Sequence, residues 1–270
     1  MGVKRMISLP LFKREIKSNY KVILIFLAIL SLYSLSIIYM YDSSATNAFD
    51  EMAKSMPELM KAFGMSSTGS NITEYIANYL YGLIVLMFPI ICMIIIGNKL
   101  IASYVDKGSM AYLLATPNRR IKIAITQALF MIIASAVILL FTCVLIISLS
   151  NIIYPGELDI KTFIFINVVL FFLHIAVGSI CFFASCISND TKLYFIIGAG
   201  VSIIFYLLQA LVNMGGKLEN LKYFTLFTLF NTTDIIAGDG IGVSIGILLV
   251  ISIVFYVLGI YLFSKRDLPL

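Results

Sequence analysis

Six long apolar stretches without a single charged residue decide what this chain can fold into. They are spans 1 to 6: residues 22–41, 78–98, 123–149, 163–186, 193–214 and 243–263. Each has the roughly 20 residues that an α-helix needs to cross a bilayer core. The stretches are continuously apolar and too long for strands, which excludes a membrane β-barrel. The sequence therefore predicts an all-α integral membrane protein with six transmembrane helices.

The composition agrees with this class of protein. Hydrophobic residues make up 61% of the 270 residues and charged residues only 12%, about half of the roughly 25% that soluble domains carry. The four cysteines all fall in apolar stretches, which indicates small buried side chains rather than disulfides or metal ligands. Because the chain has a single histidine, histidine-based metal clusters are excluded. We expect no metal, no cofactor and no catalytic site in this chain.

The charges between the spans predict the orientation. The segments 1–21, 99–122, 187–192 and 264–270 carry 14 lysines and arginines but four acids, and we call their side the basic face. The segments 42–77, 150–162 and 215–242 carry five lysines and arginines but ten acids, and their side is the acidic face. Because basic segments stay in the cytoplasm, we expect both termini to be cytoplasmic, in a bacterial cell membrane. This topology accounts for the basic excess, so nucleic acid is not an expected partner, whereas membrane lipid is.

Residues 1–21 have the pattern of a basic amphipathic helix. Leu11, Ile16 and Tyr20 fall roughly on one face and lysines and arginines on the others. We interpret this segment as an elbow helix that lies along the cytoplasmic membrane surface. A simple basic anchor before span 1 is the alternative.

The two longer loops of the acidic face also contain helical or apolar patterns. Residues 48–65 have helical periodicity, and residues 223–230 form an apolar run that is too short to cross a bilayer but suited to the outer leaflet. Either loop could also be a lid on the bundle.

Uncharged polar residues recur at helical spacing within spans 4 and 5. The possible pathway-lining residues are Asn167, His174, Ser202, Gln209 and Asn213. Such stripes either pack against other helices through hydrogen bonds or line a pathway, and the spacing alone leaves both open. An intramembrane hydrolase using His174 is a further alternative, but the sequence shows no glycine-rich nucleophile setting for it.

The loop between spans 2 and 3 predicts a short docking helix. Ser109 can cap it, and Met110, Leu113 and Leu114 stand on one apolar face. Pro117 cannot continue the helix. Arg119 and Arg120 then mark the membrane surface where span 3 begins. A self-contained turn that covers the bundle is the alternative interpretation.

Residues 98–130 resemble the pattern around spans 2 and 3 in membrane permeases of type-2 ATP-binding-cassette (ABC) exporters. That pattern is an acidic residue, Gly-Ser/Thr, aromatic-Leu-Leu and Pro-x-Arg, which here are Asp106, Gly108–Ser109, Tyr112–Leu113–Leu114 and Pro117 to Arg119. Residues 57–65, 218–231 and 263–269 agree in matching order, so the resemblance covers nearly the whole chain. Asp106 departs from the pattern, in which a glutamate closer to the membrane is common, so the family's salt bridge is not carried over.

The resemblance implies a single permease domain over residues 1–270 that pairs with a second copy or a paralogue and with cytoplasmic ABC ATPase subunits. ATP and magnesium would bind to the ATPase, and the loop would be its coupling helix. The ATPase-coupling residues are then Asp106, Ser109, Met110, Tyr112, Leu113, Leu114, Pro117, Arg119 and Arg120. We expect export of an apolar or amphipathic cargo, first a hydrophobic peptide such as a toxin or antimicrobial, then a lipid or drug. A passive immunity or scaffold membrane protein is the remaining alternative.

Overall fold

The computed structural model describes residues 7–41, 54–65, 71–116 and 119–267. The regular structure in these ranges is helical, and six segments are long and apolar enough to cross a membrane. This confirms the predicted fold class and the six spans. The α-helices are α1 (Leu9–Tyr39), α2 (Pro57–Ala62), α3 (Ile72–Tyr79), α4 (Ile84–Leu100), α5 (Ala102–Asp106), α6 (Met110–Leu114), α7 (Arg120–Ile153), α8 (Ile160–Ile187), α9 (Thr191–Tyr194), α10 (Gly200–Asn213), α11 (Thr232–Ala237) and α12 (Ile241–Lys265).

Helix α1 runs without interruption through the predicted elbow helix and span 1. No glycine or proline lies between residues 11 and 39, so nothing separates an amphipathic elbow from the span. The 31 residues extend roughly 46 Å, well beyond a bilayer core of about 30 Å. Leu11, Glu15 and Asn19 face the bundle, whereas Ile16 and Tyr20 are exposed. The separate elbow helix is thus not confirmed, and the inward face of this segment includes the polar residues Glu15 and Asn19.

Span 2 begins later than the hydropathy predicted, and its helix continues past the predicted end to a break at Ile101. Residues 78–83 belong to the end of α3 and to a turn, and the span helix α4 begins at Ile84. A hydropathy window of span length does not detect this boundary, because residues 78–83 carry no charge and are averaged with the strongly apolar helix that follows them. Ile101, with φ −135° and ψ −53°, then separates α4 from α5.

Span 4, helix α8, lies at the centre of the bundle and packs against α4, α7 and α12. Of its most apolar stretch 72% is buried, against 22% for α1 and 17% each for span 5 and α12. The peripheral helices therefore present apolar side chains outward, as expected of helices that contact lipid or another subunit.

Asp159 fixes the start of α8 on the acidic face. Its Oδ1 accepts from the backbone N–H groups of Lys161 and Thr162, and its own N–H donates to Thr73 Oγ1 in α3 at 3.0 Å. The hydrogen bond that the Thr162 hydroxyl donates lowers the pKa of the Asp159 carboxyl. The cap therefore contributes its full stability above the carboxyl's ordinary pKa and loses it as the pH falls through the lowered pKa of the folded state.

Span 5 contacts span 2 through a close approach at Gly97. Span 5 runs through α9, a π-helical turn at Phe195–Ala199 and α10. The hydroxyl of Tyr194 donates to the Ile94 carbonyl at 2.6 Å. A Cβ atom at Gly97 would lie only 2.5 Å from the Tyr194 oxygen, so a side chain there would displace this buried hydroxyl.

We expect Gly97→Ala to lower the free energy of unfolding by about 1–3 kcal/mol, because the added methyl group forces the Tyr194 hydroxyl away from its acceptor. Thermal denaturation in mild detergent measures this. Gly246→Ala in α12 is the matched control, since nothing lies within 4 Å of its added Cβ, and it should be neutral or stabilise by up to about 1 kcal/mol. Equal stability of the two variants would contradict the close approach.

Candidate functional site

The break at Ile101 is stabilised by side chains from two other spans. The carbonyl of Leu100 accepts from Gln127 Nε2 of α7 at 2.9 Å, and the N–H of Ala102 donates to Ser185 Oγ of α8 at 3.0 Å. In a membrane, interrupted helices persist only where neighbouring groups bond the freed backbone groups. The break is therefore stabilised by the neighbouring helices of the bundle.

A buried carboxyl group links this break to the segment that leads toward α6. Glu15 of α1 is fully buried. Its Oε1 accepts from the Tyr104 hydroxyl of α5 at 2.8 Å and from Gln127 Nε2 at 3.1 Å, and its Oε2 accepts from Asn19 Nδ2 at 3.4 Å. Arg14 lies 5.1 Å above the Tyr104 ring as a cation–π partner. One side chain thus connects α1, α5 and α7.

Helix α6 lies between spans 2 and 3, where a short helix was predicted, but it uses its side chains differently. Ser109 occupies the N-cap position, yet its hydroxyl donates to the Tyr104 carbonyl at 3.2 Å, so the predicted cap bond is not formed. Met110 is buried against the bundle, and Leu113 and Leu114 pack partly against it. Tyr112 points outward with 81% of its surface exposed.

The remaining predicted coupling residues lie around α6 on the basic face. Asp106 accepts from the Thr191 hydroxyl of α9 at 2.9 Å, and Arg119 is exposed. Arg120 Nη1 donates to the Arg266 carbonyl at 2.6 Å, and Arg266 Nη2 donates to the Ser188 carbonyl at 2.9 Å. Burial lowers the pKa of Arg266 from its ordinary value, but an arginine stays protonated. Arg120 is therefore engaged within its own chain. Pro117 lies outside the described residues.

Three of the five possible pathway residues are buried in helix contacts. Asn167 accepts from the Tyr81 hydroxyl at 2.9 Å. His174 Nε2 lies 2.9 Å from the Leu86 carbonyl oxygen, which can only accept, so this ring nitrogen donates. Ser202 donates to the carbonyl of Gly198 within span 5 at 2.8 Å. These contacts agree with the packing interpretation of the stripes.

Gln209 and Asn213, by contrast, line a cavity of about 440 Å³ on the acidic face. Gln209 Nε2 donates to Asn213 Oδ1 at 2.8 Å, and Asn213 Nδ2 donates to the carbonyl of Ala62 at 3.3 Å. Tyr81 and Leu86 line the same cavity. The Asn167 and His174 side chains that bond to them therefore lie one layer behind its wall.

The geometry gives His174 no nucleophile to activate. Its Nε2 bonds to a backbone carbonyl, and its Nδ1 has no hydrogen-bond partner among the described residues. A serine hydrolase needs a hydroxyl within hydrogen-bond reach of the histidine. Nothing in this arrangement favours the hydrolase alternative.

Comparison with known families decides the class. Residues 11–268 match the model of a family described as ABC-2 family transporter protein. The chain belongs to this family. It is a membrane-embedded permease subunit of a type-2 ABC transporter, a class that pairs with an ABC ATPase subunit. Neither the curated proteins nor the solved structures compared with it gave a match.

Glu15 and Gln127 of the permease were not among the site residues predicted from the sequence. The signal was present, since Leu11, Glu15, Asn19, Phe26 and Leu30 are spaced 4, 4, 7 and 4 and form one buried stripe of α1. The interpretation of residues 1–21 as a separate helix on the membrane surface assigned none of these residues to the interior of the bundle.

We expect Glu15→Ala in the permease to lower the free energy of unfolding by about 1–3 kcal/mol, because the buried Tyr104 hydroxyl and Gln127 amide lose an acceptor. Glu15→Gln keeps one acceptor oxygen and should cost less. Thermal denaturation in detergent measures both. Glu157→Ala, an exposed carboxylate of the acidic face, is the control and should be neutral. The linkage would be refuted by a Glu15→Ala protein that is as stable as the control.

Proposed function

We propose that the chain is the membrane half of an ATP-driven exporter and that α6 is its coupling helix. The cargo is an apolar or amphipathic molecule, first of all a hydrophobic peptide. A separate ATPase subunit binds ATP and magnesium, docks against α6 and drives alternating access of the cargo path. A second copy of the permease, or a paralogue, completes the path.

The observation that carries this proposal is the exposure of Tyr112 on a helix that is anchored otherwise. Met110 is buried beneath α6, so the helix is held to the bundle, while Tyr112 presents an aromatic ring on the opposite side. Aromatic side chains of this kind are common anchors at protein interfaces. The docking contact is thus assigned to Tyr112 rather than to Leu113 and Leu114, which pack partly on the bundle.

The break at Ile101 gives α6 a route to the spans. Force on α6 passes into α5, and from there either turns α5 about the break or travels through Tyr104 and Glu15 into α1 and α7. Either route converts movement of a docked ATPase into movement of membrane helices. Hinges need a few residues that absorb a change in φ and ψ, and Ile101 already departs from helical geometry.

The cargo class follows from the spans, which carry no charged residue within the predicted boundaries and whose peripheral helices expose apolar side chains. A charged, strongly hydrated solute would find no counter-charge on such surfaces. A hydrophobic peptide has few polar side chains that would lack a hydrogen-bond partner on these surfaces. Lipids and drugs share this property and are the next candidates.

We expect Tyr112→Asp to reduce co-purification with the ATPase and stimulation of its ATP hydrolysis roughly tenfold or more, because an interface anchor is replaced by a hydrated charge. Tyr223→Asp is the matched control, since Tyr223 is 79% exposed but lies in the 3-10 helix Gly216–Phe224 of the acidic face. Pull-down and ATPase assays on the reconstituted complex measure the effect. Normal stimulation with Tyr112→Asp, or equal loss with Tyr223→Asp, would show that α6 is not the docking element.

We expect inside-out vesicles that contain the permease and its ATPase to accumulate a fluorescent hydrophobic peptide only when ATP is supplied. A hydrophilic peptide of the same length should not accumulate, because its polar groups would be left unpaired among the apolar spans. Fluorescence inside the vesicles measures uptake. Uptake that occurs only in right-side-out vesicles with ATP enclosed would identify an importer instead.

A further inference from the structure

The cavity on the acidic face is amphipathic and adjoins the membrane surface of span 5. It is bounded by α2, the turn before α4, the end of α10, two 3-10 helices and the start of α11. Its volume of about 440 Å³ lies in the range of about 300–1,000 Å³ that is typical of small-molecule sites. Val212 and Asn213 line it, while Leu207, Leu211 and Met214 of the same helix end are exposed. A molecule in this cavity would therefore lie beside the exposed apolar side chains of α10.

Two basic and two acidic side chains line the cavity, and one of each forms no ion pair within the described ranges. Lys222 Nζ forms an ion pair with Glu219 at 3.3 Å, so these two neutralise each other. Lys61 of α2 and Asp234 of α11 line the same space and form no ion pair with another residue in the described ranges. A ligand that carries one positive and one negative group would satisfy both. A ligand of one sign would leave one of them unmatched.

The other residues that line the cavity suit the part of an amphipathic molecule that joins its polar end to its apolar end. Gln209 and Asn213 bond to each other and to the Ala62 carbonyl, which orients their amide groups at one wall. Leu86, Phe227 and Phe230 add apolar surface. The cavity thus combines two opposite charges, oriented amides and an apolar wall, close to the lipid-exposed residues of α10.

We propose that this cavity binds the head group of a zwitterionic lipid from the outer leaflet, with the phosphate at Lys61, the ammonium at Asp234 and the acyl chains along α10. A lysine is a point-charge donor for phosphate, and an ammonium group donates up to three hydrogen bonds to a carboxylate. A lipid is favoured over a soluble zwitterion because the exposed residues of α10 adjoin the cavity. The proposal goes beyond the transport function, since it does not require the lipid to be cargo.

The test offers phosphatidylethanolamine or the anionic phosphatidylglycerol to the full chain, purified without the ATPase, and counts retained lipid by native mass spectrometry. The wild-type chain should retain phosphatidylethanolamine about tenfold more strongly than phosphatidylglycerol, the effect of one charge-assisted contact. Asp234→Lys should abolish that preference, whereas Lys61→Glu should weaken the retention of both lipids, because both carry the phosphate. Lys217→Glu and Glu157→Lys make the same changes in net charge at exposed positions that do not line the cavity, and should preserve both the retention and the preference.

Conservative variants keep the test independent of folding. Lys61→Arg and Asp234→Glu retain each charge and should retain phosphatidylethanolamine like the wild-type chain. Soluble phosphoethanolamine should compete only weakly, because it lacks acyl chains to lie along α10. Equal retention of the two lipids, or equal loss in the control variants, would overturn the proposal. Full competition by phosphoethanolamine would overturn the assignment to a lipid. Because no ATPase is present, these results do not depend on the coupling assignment of α6.

Discussion

A helix inside a membrane protein can be interrupted only where other groups bond the backbone N–H and C=O that the interruption frees. At Ile101 these groups are Gln127 and Ser185. The amide of Gln127 donates to two acceptors, the Leu100 carbonyl and the buried Glu15 carboxyl. The same side chain therefore stabilises the break and connects it to α1. This shared amide therefore joins α1 to the break from which α5 leads toward α6.

The polar stripe of α8 continues this arrangement toward the other end of the bundle. Ser185 bonds to the backbone just after the break, His174 bonds to Leu86 in the first turn of α4, and Asn167 bonds to Tyr81 before α4 begins. The stripe was readable from spacing alone, but spacing could not choose between packing and pathway. The contacts agree with packing, and Asn167 and His174 bond to Tyr81 and Leu86, which line the cavity.

The sequence predicted what depends on strong local signals and missed what depends on tertiary contacts. The six spans and a short helix at α6 follow from hydropathy and helical periodicity, which are properties of the segments themselves. The start of α4 was misplaced because the uncharged turn before it was averaged with the apolar helix over a window of span length. Glu15 was missed because a charged residue near a terminus is usually solvated, and only the donors from Tyr104 and Gln127 make its burial tolerable. The fold class was thus predictable, whereas the linkage within the site was not.

These contacts constrain how the permease can move. Helix α4 is joined to α8 near its start through His174, and to span 5 near its end through the Tyr194 hydroxyl. It therefore cannot slide along α8 without breaking buried hydrogen bonds, each of which would leave a polar group unpaired in an apolar interior. A turn of α5 about Ile101 breaks no helical backbone hydrogen bond at Leu100 or Ala102, since these two already bond to side chains, but it must lengthen the bonds from Ala102 to Ser185 and from Tyr104 to Glu15. Movement that starts at α6 should accordingly turn α5 about Ile101 or carry α1, α4, α7 and α8 together, but should not shift α4 alone.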